Sequence, residues 1–228
     1  MTALNAPSIV AIVPMRHDSE RVRGKNYRPF GDRPLYHHII GTLCACRGIS
    51  RVVIDTDSPT IKEEAATAFP DVLVLERPEH LRDGTIPMND VLLNTVRQAP
   101  ADFYLQTHST NPLLKRETVE KAIEAFHANY PSYDSLFGVT RLQTRLWDAL
   151  ARPVNHNQAI LLRTQDLPPI YEENSSIYIF SGETLQTCRN RIGTRPFMFE
   201  IDRREAVDID EEIDFTIAEQ LFLHRERK

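Results

Sequence analysis

The chain reads as a three-layer α/β fold on a mostly parallel sheet, and three observations carry that expectation. Short apolar runs rich in β-branched residues alternate along the chain with longer segments of helical spacing. The first run, residues 9–13 (IVAIV), is apolar at every position, as a strand covered on both faces must be. The loops that follow the strands, rather than those that precede them, hold most of the charged residues of interest. That is the carboxyl edge, where open α/β sheets bind ligands.

At 228 residues the chain suits one domain, 1–228, with an arm inserted at 141–173. A hydrophobic fraction of 41% and a charged fraction of 26% are ordinary for a globular protein. The formal net charge of -5 argues against a general nucleic-acid or acidic-membrane binder, which carries a basic excess. The 3 cysteines, Cys44, Cys46 and Cys188, form neither a disulfide framework nor a zinc pattern. The N-terminus lacks the architecture of a signal peptide and no apolar run is long enough to span a bilayer, so the cytoplasm is the expected location.

The elements follow in order. The first strand is expected to end at Pro14. It opens into a loop with four cations, Arg16, Arg21, Arg23 and Lys25, broken by Gly24. By composition this is an anion site or merely a solvated connection, since neither standard glycine-rich phosphate motif is present. Residues 35–46 have helical spacing through Leu35, Ile39, Ile40 and Leu43. Adjacent His37 and His38 there point to different faces and cannot ligate one metal together.

A second strand at 51–57 ends in Asp55 and Asp57, where turn and cap roles compete with ligand contact. A helix follows with Ser58 as cap and Pro59 at its first position. A third strand at 71–76 leads through Arg77 to a helix at 86–99, whose start could also serve an anion. A strand at 102–107 is followed by His108, a general base or a plain polar loop residue, and by a helix beginning near 116. A strand at 135–140 precedes the arm, which is expected to carry short strands of its own. Trp147, within it, is assigned to core or interface packing. Strands are then expected at 176–180, 196–202 and 205–210, with a helix at 183–189. A closing helix is expected to bury Ile213, Ile217, Leu221 and Phe222 on one face.

Several of these segments share a pattern. The order Pro14-x-Arg16-x-x-Ser19, Lys25-Asn26, Arg28-Pro29-Phe30-Gly31 and Pro34-Leu35 resembles the acylneuraminate (sialic acid-type) cytidylyltransferases. The 3-deoxy-manno-octulosonate enzymes are more distant relatives. The resemblance implies a Rossmann-like nucleotidyltransferase sheet whose first loop wraps the triphosphate of CTP. The departures are His17-Asp18 before Ser19 and Glu20 after it, where the family has small residues and a lysine.

The resemblance further implies a nucleotide-binding set of Pro14, Met15, Arg16, Ser19, Lys25, Asn26, Arg77 and Asn89. A substrate-binding set of Gln106, Arg163, Gln165, Asn174 and Tyr178 comes with it. Gln106 belongs to a stretch like the family's L-Q-x-T-x-P-L. Arg163 and Gln165 belong to one like R-x-Q-x-L-P, and Asn174 and Tyr178 to one like N-G-A-x-Y, with Ser175-Ser176 standing for Gly-Ala. The resemblance implies that the arm is a dimerisation element that completes the pocket of a second subunit in a homodimer.

Asp208 and Asp210 flank Ile209 before the last helix. Alternation along an extended segment places two hard oxygen ligands together, as Mg²⁺ accepts, while a helix cap is the competing reading for Asp210. The family's D-I-D is its metal site, so the resemblance makes Asp208 and Asp210 the ligands of Mg²⁺. It makes them, with Arg16 and Lys25, the catalytic group. The expected reaction joins CTP to a sugar acid and releases pyrophosphate, with neither nucleic acid nor membrane as partner. A different nucleotide or sugar, an octulosonate, or a non-catalytic nucleotide-binding role are the alternatives. The departures at His17, Asp18, Glu20 and Ser175-Ser176 bear on which acid is used.

Overall fold

A computed structural model describes residues 7–226. The chain runs β1 (Ile9–Met15), a short hairpin β2 (Pro29–Phe30) and β3 (Arg33–Pro34), α1 (Leu35–Cys44), β4 (Ile49–Thr56) and α2 (Pro59–Ala68). It continues through β5 (Leu73–Glu76), α3 (Met88–Gln98), β6 (Phe103–Gln106), α4 (Arg116–Asn129) and β7 (Ser135–Leu142). It closes with β8 (Ile170–Ser181), α5 (Gly182–Cys188), β9 (Pro196–Glu200) and α6 (Glu212–Glu226).

The main sheet has seven strands in the order β5-β4-β1-β6-β8-β7-β9. β1 pairs in parallel with β4 on one side and β6 on the other, so the strand order reverses at β1. β8 alone runs against its neighbours β6 and β7. Among the described residues no helix is long and apolar enough to cross a membrane.

The two-sided burial of β1 has a direct cause in its alternation. Ile9, Ala11, Val13 and Met15 pack with Tyr36, Ile39 and Ile40 of α1 and with Val119 and Ile123 of α4. Val10 and Ile12 face Leu92 and Val96 of α3 and Leu185 of α5. Helices therefore cover both faces, giving three layers. β1 also runs one residue past Pro14. The β6 partner stops at Ile12, so the missing N–H of proline faces no ladder on that side. Ser58 caps α2 as expected, accepting a hydrogen bond from the Ile61 N–H.

Three expectations need correction. Residues 205–210 form an irregular segment rather than a strand, because β9 ends at Glu200 and a turn at Asp202–Ala206 redirects the chain. The arm has no strands of its own. β7 extends to Leu142 and β8 begins at Ile170, so they supply its base. Between them lie one isolated bridge, Trp147 to Pro153, and one 3₁₀ turn at Thr164–Asp166. Trp147, expected in the core or at an interface, is half exposed within this chain and packs edge-on to His156.

The third correction concerns α6, which buries Phe215 and Ala218, with Phe222 packed against them, and leaves Ile213 and Ile217 exposed. Its buried face is set by Phe30, whose ring meets those of Phe215 and Phe222, and not by the aliphatic positions. With Val22, Leu35 and Ile209 these residues make a third, small core. It joins the first loop to the end of the chain.

A buried ion pair braces the carboxyl edge. Arg77 donates from Nε to Asp55 Oδ1 at 2.6 Å and from a terminal nitrogen to the Asp55 carbonyl, while Thr95 Oγ1 donates to Asp55 Oδ2. Both charged side chains are almost wholly excluded from water. Removing one partner strands the other charge, so Arg77→Ala should lower the unfolding free energy by about 3–5 kcal/mol in urea titration. A loss below about 1 kcal/mol would show that the pair does not brace the edge.

Candidate active site

The site lies at the carboxyl ends of β1, β5 and β6, beside the reversal of strand order. A cavity of about 390 Å³ is lined there by Pro14, Met15, Arg16, Ser19, Lys25, Asn26 and Arg77, all nominated from the sequence. Arg21, which was not nominated, also lines it, as do Asp18, Glu20 and Asp83 and the loop from His108 to Thr110.

The loop from 16 to 24 is held at several points. Asn26 donates from Nδ2 to the Arg16 carbonyl at 2.7 Å and accepts from Ser109 Oγ at 2.6 Å, tying the loop after β1 to the loop after β6. Gly24, at φ +63°, turns the chain into the 3₁₀ turn that carries Lys25, and a Cβ there would meet the Tyr27 ring. His17 stacks on Tyr27, bonds Ser58 through its ring, and gives its backbone N–H to Asp57. Asp55 and Asp57 thus serve the scaffold, one in the ion pair with Arg77 and the other in the loop anchor.

The early cations and the late carboxylates meet. Arg21 pairs with Asp210 at 2.7 Å across 189 positions of sequence. Lys25, almost fully buried, donates a short hydrogen bond to the Ile209 carbonyl. Burial lowers the Lys25 pKa, and the nearby Asp208 and Asp210 carboxylates oppose that shift. Burial raises the Asp208 pKa, with the Thr110 side chain opposing and Asp210 reinforcing the rise. Asp208 Oδ1 is buried without a hydrogen-bond partner. A lone buried carboxylate oxygen with a second carboxylate beside it suits a hard cation. Among the described residues no group of three or more His, Cys, Asp or Glu could hold a metal, so Asp208 and Asp210 would need ligand oxygens or water to complete the shell.

Asp208 and Asp210 line a separate hollow of about 460 Å³, with Thr140, Glu173, Asn174, Ser175 and Arg203. Asn174 is buried and donates to Thr140 Oγ1, while its Oδ1 accepts from the Ser176 N–H. Ser175 takes a left-handed φ of +57° at the irregularity where β8 slips against β7. Tyr178 is fully buried and donates from its hydroxyl to Glu173. Gln106 is also fully buried, and its amide contacts Arg191, the Thr107 carbonyl and His108.

Some nominated residues are placed elsewhere. Arg77 reaches the cavity floor with its guanidinium already committed to Asp55. Asn89 stands outside the cavity lining and holds the loop after α5, accepting from the Arg191 N–H and donating to Asn190. Arg163 is exposed on the arm and paired with Asp166, and Gln165 offers its carbonyl to Gln143. Neither lines either hollow of its own chain.

His108 is a neutral imidazole, its pKa pushed down to about 3 by burial and by nearby Arg191 and Lys25. Its Nε2 lies 3.0 Å from the Gln106 amide nitrogen and so accepts, leaving Nδ1 as the protonated nitrogen. Arg21 and His108 were visible in the sequence only as one of several loop cations and as a loop histidine. Arg191 carried no signal of its own in the sequence.

A family model described as Cytidylyltransferase matches residues 10–227. The chain is 27% identical over 230 residues to the post-translational flagellin modification protein B of Campylobacter coli, covering 96% of each. It is 28% identical over 228 residues to CMP-N,N'-diacetyllegionaminic acid synthase of Legionella pneumophila, covering 93% of this chain and 95% of that one. The N-acylneuraminate cytidylyltransferase A of Danio rerio is 25% identical over 222 residues, and this chain spans about half its length. Among solved structures, a CMP:2-keto-3-deoxy-manno-octonic acid synthetase complexed with CTP superposes with a TM-score of 0.71 at 15% identity. It covers 96% of this chain and 99% of that one, a likeness of fold.

Arg16 lies against Gly84, where a Cβ would approach its terminal nitrogen to 2.4 Å. Arg16→Ala should weaken binding of inorganic tripolyphosphate about 10-fold by calorimetry, without altering the far-ultraviolet dichroism. Unchanged affinity would remove Arg16 from the anion site.

Proposed function

This chain belongs to the cytidylyltransferase family, and on that premise we propose that it activates a 2-keto-3-deoxy sugar acid of the nonulosonate type with CTP, giving the CMP-sugar acid and pyrophosphate. The observation that carries the reading is that Arg21 and Lys25, which line the cavity, reach the late segment, Arg21 pairing with Asp210 and Lys25 donating to the Ile209 carbonyl. A triphosphate needs clustered cations, and phosphoryl transfer needs alignment and charge neutralisation more than covalent chemistry.

In this mechanism a hydroxyl of the acid, at the anomeric carbon, attacks the α-phosphorus in line. The bond from the α-phosphorus to the bridging oxygen of the β-phosphate breaks, pyrophosphate leaves, and the proton of the attacking hydroxyl passes to water. Arg16, Arg21 and Lys25 face the cavity and offset the phosphate charge. Lys25 is braced at the Ile209 carbonyl, so its ammonium is already oriented before the nucleotide arrives. Asn26 and Ser109 hold the two loops at a fixed separation. Asp208 and Asp210 would hold Mg²⁺, which when bound neutralises phosphate oxygens and polarises the attacking hydroxyl. His108, neutral and protonated at Nδ1, adds a hydrogen-bond donor at the cavity wall without adding charge.

The acid would enter from the hollow beside Asn174 and Ser175. The arm is the part that would act between subunits. Its apolar residues Leu150, Ile160 and Leu161 are exposed, with Leu161 at 87%, and this supports a homodimer in which Arg163 and Gln165 reach the partner's pocket.

Asp208→Asn and Asp210→Asn should each lower turnover about 100-fold or more in a pyrophosphate-release assay with Mg²⁺, leaving the thermal midpoint within a few degrees of the parent. Turnover within a few-fold of the parent in both would overturn the assignment. In a panel of the four nucleoside triphosphates the parent should release pyrophosphate with CTP. Preference for another nucleotide would redirect the reading.

A further inference from the structure

The Asp210 carboxylate has no duty in the scaffold. The cap that it could give to the start of α6 comes instead from Asp214, whose Oδ2 accepts from the Asp210 and Glu211 N–H groups. Its side chain is left with one hydrogen-bonding partner among the described residues, a terminal nitrogen of Arg21 at 2.7 Å. The Arg21 side chain likewise donates to nothing else among the described residues. The pair joins two regions that are otherwise separate. Arg21 lines the cavity of about 390 Å³ after β1, Asp210 lines the hollow of about 460 Å³ beside Asn174, and neither lines both.

The two cations that reach this segment are held in different ways. Lys25 is buried and bonds a backbone carbonyl, so it leaves both carboxylates free. Arg21 and Asp210 are 60% and 51% exposed at their side chains, and a pair so exposed adds little to stability and opens readily. A divalent cation on Asp210 would draw on the same negative charge that Arg21 already holds. Two positive groups on one carboxylate repel each other, so occupation by one opposes the other. A triphosphate in the cavity offers the guanidinium a more highly charged partner, with oxygens that match its fork.

We infer that Arg21 is a placeholder at Asp210. Without nucleotide it occupies the carboxylate and keeps a divalent cation off it; when a triphosphate binds, Arg21 turns to the phosphates and frees Asp210. This rests on the reading of Asp208 and Asp210 as metal ligands and adds an order to their loading. Nucleotide and cation favour the same state, the one in which Arg21 has left Asp210, so each strengthens the binding of the other. The carboxylates then hold a cation only when there is a nucleotide for it to serve.

The test titrates Mn²⁺, a paramagnetic substitute for Mg²⁺, into the nucleotide-free protein and follows it by electron paramagnetic resonance. Arg21→Gln should bind Mn²⁺ about 10-fold more tightly than the parent, and its affinity for CTP, measured by calorimetry without divalent cation, should fall about 10-fold. The gain should vanish beside Asp210→Asn, so that Arg21→Gln with Asp210→Asn matches Asp210→Asn alone. Opposite effects on the two ligands are what a merely structural arginine would not produce. Mn²⁺ affinity that falls with Asp208→Asn but does not rise with Arg21→Gln would overturn the inference, as would an unchanged CTP affinity in Arg21→Gln. Mn²⁺ binding indifferent to both Asp208→Asn and Asp210→Asn would fault the metal reading, and the inference with it.

Discussion

The site depends on one contact: the Lys25 ammonium, buried, against the Ile209 carbonyl. An ammonium taken out of water is costly unless it finds acceptors and opposite charge. Here a backbone carbonyl and two neighbouring carboxylates supply them. The apolar side of the same join is the small core of Val22, Phe30, Leu35, Ile209, Phe215 and Ala218. Around it Arg28 pairs with Glu212 at 2.7 Å and lies over the Phe215 ring, and Glu219 accepts from the Gly31 N–H. Loop and chain end are thus locked by packing and by charge together. The D-I-D alternation follows, because burying Ile209 leaves Asp208 and Asp210 to face the polar side.

That lock also accounts for the departures in the first loop. His17 fills space against Tyr27 and bonds Ser58, so it serves as an anchor to the start of α2. Asp18 and Glu20 line the cavity beside Arg16 and Arg21. The cavity is therefore mixed in charge rather than uniformly basic, consistent with a chain whose net charge is -5. The cations are placed individually, each with its own support, instead of acting as a diffuse patch.

Much of this was legible in the sequence for simple reasons. A run such as IVAIV admits only a two-sided buried strand, and Ser58-Pro59 writes a helix start in backbone chemistry. The meeting of residues 184 positions apart was implied by resemblance, since nothing local in Lys25 or Ile209 points to the other. What escaped did so for physical reasons. Periodicity in α6 was real for several faces, and the choice between them came from Phe30, an aromatic outside the helix. The segment 205–210 reads as a strand by composition, but the turn at Asp202–Ala206 redirects it and its Ile209 N–H goes to the Thr110 carbonyl in the loop after β6. Arg191 was silent because its place beside Gln106 comes from Asn89, Asp90, Asp134 and Ser135 fixing the turn after α5. All four lie on other elements or in loops far away in sequence.

The central claim is that the first loop and the 207–211 segment are one nucleotide site. Hydrogen–deuterium exchange with and without CTP tests it most directly, since exchange reports protection along the backbone. CTP should slow exchange in residues 16–26 and in 207–211 together, at the same nucleotide concentration. Protection confined to the first loop, with 207–211 unchanged, would contradict the account.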